Sequence, residues 1–438
     1  MKKLSIVTGL FLIAVGGTGC SGNQTAEPHQ PTSPQYVAKY DYSSPAAVVD
    51  LEQALNTSAA SLKLSQIASE ISYYNVGDVR YTVTQAIAIQ DSNAFLTFNN
   101  PRLYYRKQGI PSKRYGFKAL AYKWNNEMGG RPLFYDKKTT RMYVALSGKD
   151  QETRRNVTQG EPCIGVLPPL DTMLTVFNYY FPEGLTEKYP IHAPEKALVG
   201  FSSDGYILAQ YAGNSGVPEG ITSFNLQGDT LCRFQLNAGK YPTREELAET
   251  PGAFQTSYWN TSQDKLTFMI PFCDTVYQLK DSQTVKPLYA LHFGKYGIVP
   301  AEAPKGDELD KKVWLKTLYE NPKGVFMGLY QKNGRKILNW LGWEDEYKPL
   351  LTTQAVFLKD TGKTYILPSR EKGFVNDLDG GLTFWPDGQT DDCLYMIRSV
   401  TEMRETVIRT GDAKQQQLID FLDNPAVYER DYVMIVVR

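Results

Sequence analysis

Histidine is scarce in this chain: three in 438 residues, one of them His29 near the N-terminus. A zinc-type site built on imidazoles is therefore not expected, and no metal ligand set is assigned. Net charge is lacking as well, because 47 Lys and Arg balance 47 Asp and Glu. The totals imply no basic field for nucleic acid and no strong steering of acidic ligands. Neither a P-loop nor a dinucleotide fingerprint occurs, which sets nucleotide-dependent chemistry aside. The apolar run Leu4–Val15 is about a dozen residues, against the roughly twenty that a spanning helix needs. Helical periodicity is almost missing: only "KQQQLIDFL", Lys414 to Leu422, reads as a short amphipathic helix, with Leu418, Ile419 and Leu422 on one face.

What is present begins with an address. Met1, Lys2 and Lys3 precede the apolar run, and Gly16, Gly17, Thr18 and Gly19 follow it before Cys20, which predicts a secretory signal over residues 1–19. Thr18-Gly19-Cys20 resembles the lipobox of bacterial lipoproteins, with Gly17 where a Leu is more usual. That resemblance implies lipid attachment at Cys20 and a membrane anchor in the bacterial cell envelope, periplasmic or surface-facing. Ser21 to Ser44 is rich in Ser, Thr, Pro, Gln and Asn and too polar to bury a core, so residues 20–47 are expected to form a disordered tether. Cys163, Cys232, Cys273 and Cys393 then remain in a compartment that permits disulfides. Four cysteines allow three pairings. Buried thiols in strands are the simpler expectation for a domain of this size.

The body, residues 48–438, is written in short alternating runs of Tyr, Phe, Val, Thr and Ile that stop at Gly, Asn or Asp. Five hairpins are expected: Leu133–Leu146, Val199–Tyr211 with a turn at Asp204-Gly205, Ile221–Leu236 at Gly228-Asp229, Phe326–Leu341 at Asn333-Gly334, and Gln354–Leu367 at Thr361-Gly362. Thr275–Leu279 and Leu288–Phe293 make another. Cys273 then lies at a strand edge and His292 within a strand, neither of them a catalytic feature. Many hairpins at spacings of several tens of residues indicate a sandwich or radial repetition. At roughly 40 to 45 residues per blade, length alone leaves six or about eight blades open.

Four segments narrow this. "LKLSQIASEISYYNVGD" (Leu62–Asp78), "CDTVYQL" with "PLYALHFGKYGIVP" (Cys273–Pro300), "NDLDGGLTFWP" (Asn376–Pro386) and "DNPAVYERDYVMIVVR" (Asp423–Arg438) occur in order. Together they resemble a bacterial family of six-bladed β-propeller lipoproteins. The resemblance implies an all-β fold, a six-bladed propeller of four-stranded antiparallel blades behind a signal peptide and a flexible lipid-anchored tether, and it implies no activity. Closing such a ring calls for strands from both chain ends, so Glu70–Val76 and Tyr432–Val437 are expected in one sheet.

Candidate site residues are few. Gly200–Gly205 has one residue too many for a nucleophile elbow. In the loop Asn376–Gly381, the side chains of Asn376, Asp377 and Asp379 have the alternating oxygens that suit Ca²⁺, or a carboxylate pair for glycoside cleavage. Trp385 beside it suits a sugar face. The same residues also suit an Asx-type turn with Trp385 packed between blades. Trp343, next to Glu344, Asp345 and Glu346, is a candidate binding edge or a solvated loop. No catalytic residue is assigned and no cofactor is required. The reading carried forward is a membrane-anchored binding protein that converts nothing, its ligand a glycan, peptide or protein at the propeller mouth. The alternatives are a propeller-fold lyase or glycoside hydrolase, and a scaffold subunit of an envelope complex.

Overall fold

The computed structural model describes residues 38–77, 85–91, 94–99, 102–107, 110–116, 131–136, 141–146, 163–166, 187–190, 198–201, 206–212, 218–225, 229–236, 258–262, 265–270, 273–298, 311–332, 350–369, 373–390 and 393–438. All lie in one compact unit, Pro34–Arg438. The expected signal segment and Cys20 lie outside the described residues, as do Trp340 and Trp343. Among the described residues no helix is long and apolar enough to cross a membrane.

The chain enters through β1 (Lys39–Tyr40), β2 (Ala47–Asp50), the short helix α1 (Leu51–Asn56) and β3 (Ile71–Gly77). Sheets of four antiparallel strands follow in chain order, the fourth of them widened to six by β1 and β2. The first holds β4 (Gln85–Asp91), β5 (Ala94–Asn99), β6 (Arg102–Lys107) and β7 (Ile110–Gly116). The second holds β8 (Arg131–Asp136), β9 (Arg141–Leu146), β10 (Cys163–Val166) and β11 (Glu187–Pro190). The third has β12 (Leu198–Phe201), β13 (Ile207–Ala212), β14 (Pro218–Phe224) and β15 (Thr230–Gln235). The fourth has β16 (Tyr258–Ser262), β17 (Lys265–Met269), β18 (Thr275–Leu279) and β19 (Thr284–His292). The fifth comprises β20 (Val313–Glu320), β21 (Gly324–Lys332), β22 (Leu350–Leu358) and β23 (Lys363–Ile366). In the last sheet β24 (Gly388–Gln389), β25 (Leu394–Ser399) and β26 (Tyr432–Val437) are joined by β3 from the other end of the chain. Helices α2 (Val400–Thr406) and α3 (Gln416–Asp423) lie between β25 and β26.

Most neighbouring sheets meet through their first strands. β4 lies against β8 and β24, β8 against β12, and β20 against β16 and β24. The third and fourth sheets share one apolar cluster and a hydrogen bond in which Ser223 Oγ donates to the Ser282 carbonyl at 2.5 Å.

Burial follows from this stacking. On β21, Val325, Met327 and Leu329 belong to one apolar cluster, while Phe326 points into another. Alternate side chains leave opposite faces of a strand, so a sheet held between two others needs apolar residues at every position. That is why "YVMIVV" of β26 reads as an unbroken apolar run: Val433, Ile435 and Val437 face one cluster, and Met434 and Val436 another. Burying each such side chain is worth about 1.5–3 kcal/mol.

The hairpins expected at Leu133–Leu146, Val199–Tyr211, Ile221–Leu236 and Gln354–Leu367 coincide with β8–β9, β12–β13, β14–β15 and β22–β23. Gly362 takes φ +66° in the last of these turns, a conformation that costs glycine little. One hairpin differs. β21 pairs with β20 on one side and with Leu350–Leu358 on the other, in a register that sets Lys332 opposite Leu350. Both of its edges are thereby filled by β20 and β22, and the expected turn Asn333-Gly334 with the strand after it, 335–341, lies outside the described residues.

The N-terminal stretch also departs from expectation. Residues 38–47, assigned to the tether from composition, have a defined path: β1 and then β2 lie parallel along β19, opposite Thr284–Val285 and Tyr289–His292. The open backbone edge of β19 supplies the reason. Lys39 N donates to the Gln283 carbonyl and Asp41 N to the Val285 carbonyl, while Lys280 Nζ meets Asp41 Oδ2 at 2.7 Å. Beyond, α1 lies against β23, and Ala60 N donates to the Ile366 carbonyl. This belt covers the outer strands of the fourth and fifth sheets before β3 becomes the outer strand of the sixth.

Candidate functional site

The acid-rich loop is entered by Gly373-Phe374. Phe374 and Phe384 exchange backbone hydrogen bonds, closing a tight excursion between them. Inside it Asn376 and Asp379 are buried, at 7% and 3% exposure. The Asn376 side-chain oxygen accepts from the backbone N–H groups of Leu378 and Asp379, an Asx turn. Its Nδ2 donates to Asp379 Oδ1 at 2.8 Å, and Gly381 N donates to the same oxygen at 3.0 Å. Gly380, at φ +72°, makes the reversal that brings this about.

The remaining Asp379 oxygen, Oδ2, accepts from the Tyr73 hydroxyl of β3 at 2.5 Å. Burial, and then the neighbouring carboxylate, hold the Tyr73 phenol far above its ordinary range, so Tyr73 stays a neutral donor. Asp377 faces the other way. Its Oδ1 accepts from Ser65 N at 2.9 Å and its Oδ2 from Ser65 Oγ at 2.7 Å. Partial burial opposes ionisation of Asp377, but the two Ser65 bonds outweigh it and keep the carboxyl below the usual carboxylate range. Leu64 N donates to the Val375 carbonyl and Val375 N to the Leu62 carbonyl. Trp385, 8% exposed, stacks on Phe374 at 6.3 Å and meets Phe326 of the fifth sheet edge-on at the same distance.

The loop is thus sewn to the segment Leu62–Tyr73. Every side-chain oxygen of Asn376, Asp377 and Asp379 already accepts a hydrogen bond within the protein, and the Trp385 ring belongs to the core. Among the described residues no group of three or more His, Cys, Asp or Glu side chains is placed to hold a metal ion.

Two polar clusters join different elements, and of their members sequence reading had singled out His292 alone. Glu320, at the end of β20, accepts from the Tyr289 hydroxyl and from Lys359 Nζ, both at 2.6 Å, while its N–H donates to Gln389 Oε1. This ties the fourth, fifth and sixth sheets. At the belt, His292 Nδ1 lies 3.3 Å from Asp50 Oδ1, and Lys295 N donates to Glu52 Oε1 at 3.1 Å. Neither cluster has a sequence signature, because its members are single polar residues on elements distant in the chain. Cys232, Cys273 and Cys393 are buried thiols. Burial pushes Cys273 up to about 11.

A family model described as "Domain of unknown function (DUF4933)" matches residues 31–409. The chain belongs to the DUF4933 family. A search of curated proteins finds no match to this DUF4933 chain. Among solved structures, it is similar to an exported protein, so described on a provisional basis, from Bacteroides fragilis NCTC 9343, at 11% identity and a TM-score of 0.53, covering 90% of this chain and 99% of that one. A member of the DUF4221 family from Bacteroides vulgatus is similar at 10% identity and a TM-score of 0.43, over 85% of this chain and 97% of that one. The β-propeller domain of the trilobed protease from Pyrococcus furiosus is matched at 12% identity and a TM-score of 0.29, over 78% of each chain. The fold is mostly β, built of four-stranded antiparallel sheets, with propellers among its structural neighbours.

Proposed function

We propose that this chain is a six-bladed β-propeller of the bacterial cell envelope, exported, lipid-anchored through Cys20, and binding a glycan, peptide or protein at its mouth without converting it. Support for six blades comes from the succession, among the described residues, of six sheets with four antiparallel strands each, the fourth also carrying β1 and β2, from first-strand contacts between every neighbouring pair except the third and fourth, and from the pairing of β3 with β26. Export is supported by the N-terminal signal pattern and by likeness to a protein itself described as exported. Trp343, with Glu344, Asp345 and Glu346, is the proposed rim contact.

One observation carries the preference for binding over catalysis. The acids that best suited an acid–base pair are engaged with Ser65, Tyr73 and the backbone, and their spacing serves the turn. General acid–base work needs a carboxyl within reach of substrate.

The test incubates the purified full chain with a panel of envelope glycans and peptides, reading binding by calorimetry and ligand integrity by mass spectrometry. A ligand that is bound and recovered intact is expected. Turnover of any panel member would overturn the binding reading, and membrane retention of Cys20→Ala would overturn the anchor.

A further inference from the structure

Balanced total charge conceals one stretch that is far from balanced. Between Asp91 and Glu127 there is no acidic residue, and within Arg102–Gly116 stand Arg102, Arg106, Lys107, Lys113 and Arg114, about three times the density of cations in the whole chain. Tyr104, Tyr105 and Tyr115 are interleaved with them. The fold turns this stretch into the β6–β7 hairpin of the first sheet.

Register decides what the hairpin presents. Tyr104 is opposite Arg114 and Tyr105 opposite Lys113, so tyrosine and cation share a cross-strand position twice. Arg102, Tyr104 and Arg106 take alternate positions along β6, with Arg114 of β7 opposite Tyr104. On its other side β6 pairs with β5, where Asn99, Thr97, Phe95 and Ala94 are opposite Arg102, Tyr104, Arg106 and Lys107. No acid is a cross-strand partner of any of these cations. Opposite-charge pairs across strands stabilise a sheet, and their absence leaves the charge uncompensated by the pairing.

Position adds to this. β7 ends the strand order of the first sheet, and among the described residues no strand pairs its far side. The outer strands of the fourth and fifth sheets, in contrast, carry the N-terminal belt.

We infer that the β6–β7 hairpin is a binding edge for a polyanionic carbohydrate, a chain of sugar rings bearing carboxylate or sulfate groups. Cations answer the anionic groups and tyrosines offer flat apolar faces to the rings. A seven-residue strand such as β7 is roughly 23 Å long and suits an extended chain. The edge is separate from the mouth ligand proposed above, so either proposal can fail alone.

The experiment measures binding of the full chain to polygalacturonate, with dextran as a neutral polysaccharide, poly-glutamate as a polyanion without rings, phosphatidylglycerol vesicles and duplex DNA. Polygalacturonate is expected to bind most tightly, and more weakly as salt is raised. Arg102→Gln, Arg106→Gln and Arg114→Gln combined should weaken binding at least about tenfold. The three matching Arg→Lys changes, and Gln at Lys286, Lys323 and Lys363 elsewhere, should leave it within about twofold. In the unaltered protein, polygalacturonate should protect Lys107 and Lys113 from acetylation, a readout that needs no variant to fold. Equal acetylation with and without it, equal binding by the Arg→Gln variant, or equal or tighter binding to poly-glutamate, vesicles or DNA would overturn the inference.

Discussion

Asp377 and Ser65 stand 312 positions apart, yet two hydrogen bonds join them where the chain ends meet. The Asp377 carboxyl is held below its ordinary range in the folded protein. Its stabilising contribution is therefore complete above the unfolded value of about pH 4 and is lost as pH falls through the lower folded value. Asp377→Asn should lower the melting temperature at neutral pH by the equivalent of about 1 kcal/mol. The gap to wild type should narrow on acidification, as a melting series from pH 7 to the acid limit of folding would show. A gap that does not change with pH would mean that the carboxylate charge is not what Ser65 recognises. At this scale the sequence announced a polar turn at Asn376–Gly381 and left its role open. The partners that decide the role, Ser65 and Tyr73, are about 300 positions away and sit in segments with no polar motif of their own.

Strands were legible where two apolar runs flank a turn residue, because hairpins are local and alternation is directly visible in β12–β13, β14–β15 and β22–β23. The belt was not. β1 is two residues long, α1 six, and their stability comes from the edge of β19 and from packing on β23, neither of which is local. The turn expected at Asn333-Gly334 lies outside the described residues; β21 ends just before it, at Lys332, and its antiparallel partner is β22, from Leu350 on. Helix α3 was readable from Leu418 and Leu422, both buried, whereas α1 and α2 are too short to show a period. Leu51, fully buried in the belt, gives a direct test. Leu51→Ala should cost about 2–5 kcal/mol if the belt is integral to the fold, measured as a shift in urea midpoint with unchanged slope. A loss under about 0.5 kcal/mol, the size of an ordinary surface substitution, would show that α1 is only loosely applied.

At the scale of the whole unit, the central claim is that the two ends of the chain make one sheet. β26 is bonded on one side to β25 and on the other to β3, with Ile71 opposite Val437 and Tyr74 opposite Met434. The Arg438 backbone adds reciprocal bonds with Glu70. The expectation that Glu70–Val76 and Tyr432–Val437 share a sheet came from the need to close a ring with strands from both ends of the body. The structure satisfies it by making β26 an inner member of the sheet and β3 the outer one. Hydrogen exchange of the full chain tests this most directly, since an amide in a cooperatively closed unit exchanges only when the unit opens. The account predicts that the bonded amides of β3 exchange as slowly as those of β21 in the fifth sheet, and lose protection with them at the same denaturant concentration. Rapid exchange along β3 while β21 remains protected would contradict it.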